Sequence, residues 1–165
     1  MIDLDKLTAA LARHVGSCRS ADVVCSLPNA VESWFRVELI PTLVDSGMPL
    51  QNIDFNFTYP GTRDKADVAV TAPDSTTVFE LKSFVCFADA NKIAKLPQQI
   101  ARLESLVRSK AITQGVAFCT FCGYTEDRVR RLCRQFFSPS WTTTEIRPMR
   151  QGQPLRFMFA SVSSN

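Results

Sequence analysis

Two acidic residues and one lysine in the middle of the chain have the types and the spacing to bind a divalent cation. Asp67 comes first, and Glu80 and Lys82 follow with Leu81 between them. Because side chains alternate along an extended strand, Glu80 and Lys82 point to the same face. Mg²⁺ prefers carboxylate and other oxygen ligands, and a nearby ammonium group can neutralise charge that develops on a phosphate. The residues therefore indicate metal-assisted phosphate chemistry, with the Leu81 carbonyl as a further candidate ligand.

A β-hairpin must bring Asp67 next to Glu80 if these residues are to act together. Residues 67–71 and 77–82 have the composition of two strands, and the turn signal Ala72-Pro73-Asp74-Ser75 separates them. With the turn centred between Pro73 and Asp74, Asp67 lies directly opposite Glu80. A shift of the register by one residue would move one acid to the other face of the sheet. The site thus depends on the hairpin register.

The alternative for these charges is an ordinary surface ion pair, which contributes at most ~1 kcal/mol. Glu80 and Lys82, however, lie inside the apolar stretch 77–87, while Phe79 and Leu81 take the opposite face and pack into the core. Charge is costly to place among buried strands unless it has a function. We therefore favour the catalytic interpretation.

The remaining hydrophobic patterns predict an α/β domain. Helices are expected at 3–15, 29–47, 97–109 (with an earlier start left open) and 125–137, and further strands at 53–59, 115–121, 142–147 and 155–162. Pro41 predicts a kink or a break in the second helix. This order indicates one domain over 1–165 with a mixed β-sheet flanked by helices. Its parts are an N-terminal helical extension (1–27), a core (28–137) and C-terminal strands (138–165).

The composition is that of a folded globular protein and says little about partners. Of the 165 residues, 45% are hydrophobic and 21% are charged, and the formal charge is +3. That charge permits a polyanionic partner without indicating one. No run of about 18 apolar residues predicts a membrane span, and the N-terminus lacks the charged-then-apolar order of a secretory signal. We expect a cytoplasmic protein with no membrane partner.

The cysteines form a weaker candidate site. Cys119 and Cys122 are the closest pair among six cysteines, inside a stretch that predicts a buried strand. No second pair with zinc-ligand spacing follows, and His14 lies in a distant helix. Disulfides are not expected in a cytoplasmic protein. We interpret the pair as buried free thiols rather than as a zinc or redox site.

The order of these residues resembles the signature of the PD-(D/E)xK superfamily, also called the restriction-endonuclease-like nucleases. That signature has an Asp at the start of one strand and Glu-x-Lys on the next, as in Ala66-Asp67 and Glu80-Leu81-Lys82. Ala66 replaces the usual proline. The superfamily core is helix, three strands, helix, strand, the order predicted for 29–121, or roughly two-thirds of the chain. The resemblance implies an αβββαβ core and dependence on Mg²⁺, with Mn²⁺ as a substitute.

The resemblance also implies site residues outside the hairpin. Members carry a Glu on the preceding helix, in a stretch similar to Glu-x-x-x-Arg-x-x-Leu-Ile, which Glu32 to Ile40 matches. Glu32 is therefore expected to bind the metal or support a ligand, with Glu38 as the reserve. On the helix after Glu-x-Lys, Gln99 is the best match to a polar residue of some branches, and Gln98 is the alternative. The expected catalytic set is Asp67, Glu80, Lys82, Glu32 and Gln99, with Asp67, Glu80 and Leu81 as metal ligands.

Basic residues crowd the last predicted helix, at Arg128, Arg130, Arg131 and Arg134. Its apolar positions leave much of this basic set on the outer face. Such a face could contact phosphates without reading sequence, but a solvated basic surface is the interpretation that we favour. Arg63 and Lys65, just ahead of Asp67, are open to the same two interpretations.

Two classes of function follow. The first is a metal-dependent phosphodiesterase, namely a nuclease that hydrolyses nucleic acid, with DNA favoured over RNA by the resemblance. No specificity module is recognisable, so we expect little sequence preference, a homodimer, or a subunit of a larger defence, repair or mobile-element complex. The alternative is a catalytically inactive module that binds nucleic acid or a protein partner, because a fold does not guarantee chemistry. The intact Asp, Glu and Lys favour the enzyme.

Overall fold

The computed structural model describes residues 1–18, 24, 30–85, 90–148 and 155–164. The helices in these ranges are α1 (Leu4–Gly16), α2 (Val31–Asp45), α3 (Ala90–Arg108) and α4 (Glu126–Phe136). The strands are β1 (Ile53–Asp54), β2 (Val68–Ala72), β3 (Ser75–Val85), β4 (Gln114–Cys122), β5 (Thr142–Thr143), β6 (Arg147–Pro148) and β7 (Leu155–Ser163). The expected start of the second helix, at 28–29, lies outside the described residues. None of the described helices is both long and apolar enough to cross a membrane.

The strands form one mixed sheet in the order β1-β2-β3-β4-β7-β5, and β6 also pairs with β7. Strands β1, β2 and β3 are antiparallel neighbours. Strand β4 runs parallel to β3, and α3 makes the crossover between them, as parallel pairing requires. The predicted single α/β domain with a mixed sheet is confirmed, and the chain order α2-β1-β2-β3-α3-β4 agrees with the expected order of elements.

Apolar side chains cover both faces of the sheet. One cluster packs α1 and α2 against Phe79 and Leu81 of β3 and against Phe118 of β4. The second cluster packs α3 and α4 against Val78 and Phe84 of β3. Because side chains alternate, Glu80 and Lys82 project toward the α3 side, between those two apolar positions. The predicted burial of Phe79 and Leu81 on the opposite face is confirmed.

Of the kink or break predicted at Pro41, the break is wrong, since α2 continues through this residue as one helix. Proline lacks the amide that would bond to the carbonyl of Val37. The Val37 side chain is 60% exposed, so this turn of the helix faces solvent. One residue further on, the Thr42 hydroxyl donates to the Glu38 carbonyl at 2.7 Å. A solvent-facing turn can lose one backbone hydrogen bond without ending the helix.

The strand expected at 53–59 is wrong beyond Asp54. The Asp54 carboxylate accepts a hydrogen bond from the Asn56 amide at 2.6 Å and bends the chain away from the ladder. Such local side-chain bonds compete with strand pairing. The chain then forms a loop that the Tyr59 amide closes by donating to the Asp64 carbonyl at 3.0 Å. This loop, residues 55–66, carries Tyr59 into the interior.

The C-terminal strands differ in length from those that the sequence predicted. The segment expected at 142–147 forms only the two short strands β5 and β6. The segment expected at 155–162 is instead a nine-residue strand, β7, which pairs with β4 along its whole length. These C-terminal strands therefore belong to the same sheet as the predicted core.

We predict that Phe118→Ala lowers the free energy of unfolding by ~3–5 kcal/mol, because truncating a buried aromatic ring leaves a cavity. Phe118 is fully buried and stacks on Phe159 with ring centroids 4.5 Å apart. Urea unfolding measures the change. Phe55→Ala is the control, since Phe55 is 37% exposed, and a surface substitution should shift stability by at most ~0.5 kcal/mol. Equal losses in the two variants would contradict this placement of the core.

Candidate active site

The β2–β3 hairpin has the register that the sequence predicted. Val68 pairs with Phe79, and Ala72 pairs with Ser75 around a two-residue turn. Continued by one residue, this register places Asp67 opposite Glu80. A bond across the strands holds Asp67 there, since the Leu81 amide donates to Asp67 Oδ2 at 2.8 Å.

Lys82 joins the two acids into one cluster. Its Nζ lies 3.8 Å from Asp67 Oδ2 and 3.7 Å from Glu80 Oε2. The side chains of Asp67, Glu80 and Lys82 are only 13%, 12% and 15% exposed, respectively. Buried charges are costly unless they are paired. The structure therefore brings the three predicted residues together in a partly dehydrated pocket, and we call them the DEK cluster.

Asp67 also contacts a residue to which sequence reasoning gave no role. The guanidinium group of Arg36, on α2, donates a hydrogen bond to Asp67 Oδ1. Both oxygens of Asp67 are thus bound by donors of the same chain. The signal for Arg36 was present in the Glu-x-x-x-Arg stretch, because Arg36 lies one helical turn after Glu32.

Glu80 has a second missed partner in Tyr59. The Tyr59 hydroxyl donates a hydrogen bond to Glu80 Oε1 inside the protein. Burial raises the pKa of Glu80, and the negative charge of Asp67 adds to that rise, while the Tyr59 hydroxyl and Lys82 oppose it. The pKa of Tyr59 is also raised, first by burial and then by the charge of Glu80. The sequence placed Tyr59 only at the end of the expected strand 53–59, and that pattern does not predict a partner for it.

Glu32 and Glu38 lie on different sides of α2. Glu32 Oε2 accepts a hydrogen bond from the Ser83 amide at 3.4 Å. Ser83 follows Lys82, so Glu32 lies near the DEK cluster but contacts the backbone of β3. Glu38 points instead toward α1, with its Oε2 2.7 Å from His14 Nε2. This placement favours Glu32 over Glu38 as an additional site residue.

Gln99 and Gln98 lie on α3 beside the site rather than within the DEK cluster. They line a cleft of about 460 Å³ together with Thr62, Asp64, Lys95 and Arg102. The Gln99 side-chain oxygen is buried and has no hydrogen-bond partner in the described part of the chain, whereas Gln98 is exposed. Arg102, one turn after Gln99, lies over the Tyr59 ring. The cleft and the site are therefore neighbours.

The donor set suits a hard cation. Mg²⁺ binds through one or two carboxylates and keeps several waters, and Asp67 and Glu80 supply two carboxylates around one point. In an extended strand the amide and carbonyl of a residue point to the same side, so the Leu81 carbonyl is directed toward the β2 side of β3, where the Leu81 amide contacts Asp67. Among the described residues, no group of three or more His, Cys, Asp or Glu side chains could hold a metal ion. Two carboxylates are ligands that suit Mg²⁺ better than Zn²⁺.

The cysteine pair does not form a shared site. Cys119 packs in the cluster under α3 and α4, while Cys122 packs against the cluster on the opposite face of the sheet. Residues three apart on a strand point to opposite faces. Burial raises the pKa of the Cys119 thiol and raises that of Cys133 to about 11. The predicted burial is confirmed for Cys119 and is wrong for Cys122, which is only half-buried.

The basic residues of α4 and of the 55–66 loop are exposed. The arginines of α4 face solvent, while Val129 on the opposite side of the helix is buried. Arg130 pairs with Glu126 of the same helix. Arg63 and Lys65 are exposed on the 55–66 loop, and Lys65 donates to the Asn56 side chain at 3.1 Å. This basic set therefore remains available at the surface and does not enter the site.

We predict that iodoacetamide leaves Cys119 and Cys133 unmodified in the native protein at pH 8. With a pKa of about 11, only about one Cys133 thiol in 1,000 is ionised at that pH, and the thiolate is the reactive form. Peptide mapping by mass spectrometry identifies the labelled cysteines. In urea both residues should be labelled, and native labelling at the rate of free cysteine would contradict the burial described here.

Similarity to known proteins adds no independent evidence about the site. The chain matches no protein-family model, and comparison with curated proteins and with solved structures gives no significant match. The function is therefore inferred from the residues and contacts of the site itself.

Proposed function

We propose that the chain is a Mg²⁺-dependent nuclease that hydrolyses phosphodiester bonds in nucleic acid. One observation carries this proposal: Asp67 and Glu80 both contact the ammonium group of Lys82 in a pocket with little solvent exposure. Surface ion pairs form without a function, but two buried carboxylates held side by side repel each other. The resemblance of these residues to the PD-(D/E)xK signature supports the same chemistry and favours DNA as the substrate.

Each member of the DEK cluster would have a distinct role. Asp67, Glu80 and the Leu81 carbonyl would hold Mg²⁺, which when bound lowers the pKa of water and stabilises negative charge on a phosphate. Lys82 would orient the attacking water or neutralise the charge that develops on the phosphate oxygens. In the reaction, the water oxygen would bond to phosphorus and give up a proton, while the bond from phosphorus to one ester oxygen breaks and that oxygen takes up a proton as the alcohol leaves. Gln99 and Glu32 are proposed as supporting residues at the two sides of the site.

The second candidate function is a non-catalytic module that binds nucleic acid or a protein partner. The observation in its favour is that Arg36 and the Leu81 amide already bind both oxygens of Asp67. A cation must therefore compete with donors of the chain for that carboxylate. A site that has lost its metal would keep such internal pairing.

The first test of the nuclease is cleavage of plasmid DNA and of RNA with Mg²⁺ or Mn²⁺. Glu80→Ala and Lys82→Ala should each lower the cleavage rate roughly 100-fold or more, because each removes a group that acts on transition-state charge. Gel electrophoresis of single-turnover reactions measures the rate.

Two surface variants are matched controls for this test. Glu126→Ala removes a carboxylate that pairs with Arg130, and Lys6→Ala removes an exposed ammonium group. Both should cleave at the wild-type rate. Cleavage that survives both Glu80→Ala and Lys82→Ala would refute the assigned site.

Binding of Mn²⁺ separates the nuclease from the non-catalytic module. Isothermal titration calorimetry should detect Mn²⁺ binding to the wild type, and Asp67→Asn or Glu80→Gln should weaken it by at least roughly 10-fold, since each removes an anionic ligand. Glu126→Gln is the control. An absence of carboxylate-dependent heat would favour the module.

A further inference from the structure

The Tyr59–Glu80 contact is the best-defined polar interaction of the site that the proposed mechanism does not use. The Tyr59 hydroxyl donates to Glu80 Oε1, while the other oxygen, Oε2, lies 3.7 Å from Lys82 Nζ. The two oxygens of Glu80 therefore have separate partners. One oxygen is engaged on the side of Tyr59, and the other faces the DEK cluster.

Tyr59 is itself held in place from several directions. Its side chain is 1% exposed, and the ring packs edge-on against Phe57 with centroids 6.3 Å apart. The Arg102 guanidinium group lies over the face of the Tyr59 ring, with its carbon 4.1 Å from the ring centroid. Arg102 in turn pairs with Asp64 at 3.1 Å, so the loop that carries Tyr59 is tied to α3. A hydroxyl on so constrained a ring has a fixed position.

The Glu80 side chain, which accepts this hydrogen bond, needs such a constraint. A glutamate side chain has three rotatable torsions, and ordering a long flexible side chain costs conformational entropy. A hydrogen bond from a rigid neighbour orders the glutamate before any cation or substrate binds, so binding does not have to supply that entropy. Partners of this kind, which bind a metal ligand rather than the metal, typically contribute a large part of a site's affinity.

We infer that Tyr59 is a positioning residue for Glu80: its hydroxyl holds Oε1 so that Oε2 faces Lys82 and Asp67. This inference rests on the proposed function, because it gives Tyr59 a role only if Glu80 binds a cation. In this role Tyr59 would contact neither the cation nor the substrate. It acts through the orientation of one carboxylate.

The test is the affinity for Mn²⁺ alone, measured by calorimetry on the full chain. Tyr59→Phe keeps the ring and removes the hydroxyl, and it should weaken Mn²⁺ binding roughly 10- to 100-fold. The control is Tyr124→Phe, since Tyr124 is also buried and its ring lies 4.7 Å from the guanidinium carbon of Arg128. That control should bind Mn²⁺ like the wild type. A purely structural role would lower the melting temperature of Tyr59→Phe without changing its Mn²⁺ affinity.

The outcomes distinguish this inference from the proposed function. If the wild type binds Mn²⁺ and Tyr59→Phe binds it equally well, the positioning role is overturned and the nuclease proposal stands. If the wild type binds no Mn²⁺, the nuclease proposal itself fails. Should Tyr59→Phe not fold, Arg102→Gln replaces it, because it leaves the phenol but removes the guanidinium group over its ring. A several-fold weaker Mn²⁺ affinity in Arg102→Gln supports the role of Tyr59, and an unchanged affinity overturns it.

Discussion

Two carboxylates share one ammonium group in an apolar part of the sheet, and the geometry of the site depends on that contact. Removing a charge from water costs several kcal/mol even after relaxation, so neither acid would be stable there alone. Lys82 reaches both acids only because the hairpin register sets Asp67 across from Glu80. A slip by one residue would turn one acid to the opposite face. The turn at Pro73 and Asp74 thus determines the site as much as the charged residues do.

The predictions that the structure confirms came from local sequence patterns. Alternation along β3 separates Phe79 and Leu81 from Glu80 and Lys82, and the two-residue turn fixes the register without distant contacts. The start of α1 was also predicted to within one residue, because the Asp3 side chain caps the helix through bonds to amides two and three residues away. Predictions of this kind succeed since the interacting residues are close in sequence. The α/β class followed from the same periodicities.

The parts of the site that were not predicted depend on contacts between residues far apart in the sequence. The sequence alone does not show which distant residues meet. Arg36 contacts Asp67 across 31 residues, and Tyr59 contacts Glu80 across 21. Tyr59 reaches Glu80 because Asp54 bends the chain out of the expected strand. The length of β7 was also underestimated, because its nine residues pair with β4, which lies far away in the sequence. Periodicity reports which face is buried, and it does not report which residue lies opposite.

The pairing of charges within the site has a consequence for the protein without a cation. Two negative groups, Asp67 and Glu80, are balanced there by two positive groups, Arg36 and Lys82. Chelation should therefore leave the fold intact, unlike in domains whose folding free energy comes from a metal. A divalent ion would add two positive charges to this balanced set. Electroneutrality then favours the withdrawal of a positively charged side chain from the site. Arg36, with 44% of its side chain exposed against 15% for Lys82, is already closer to solvent and can turn into water with less rearrangement of its surroundings.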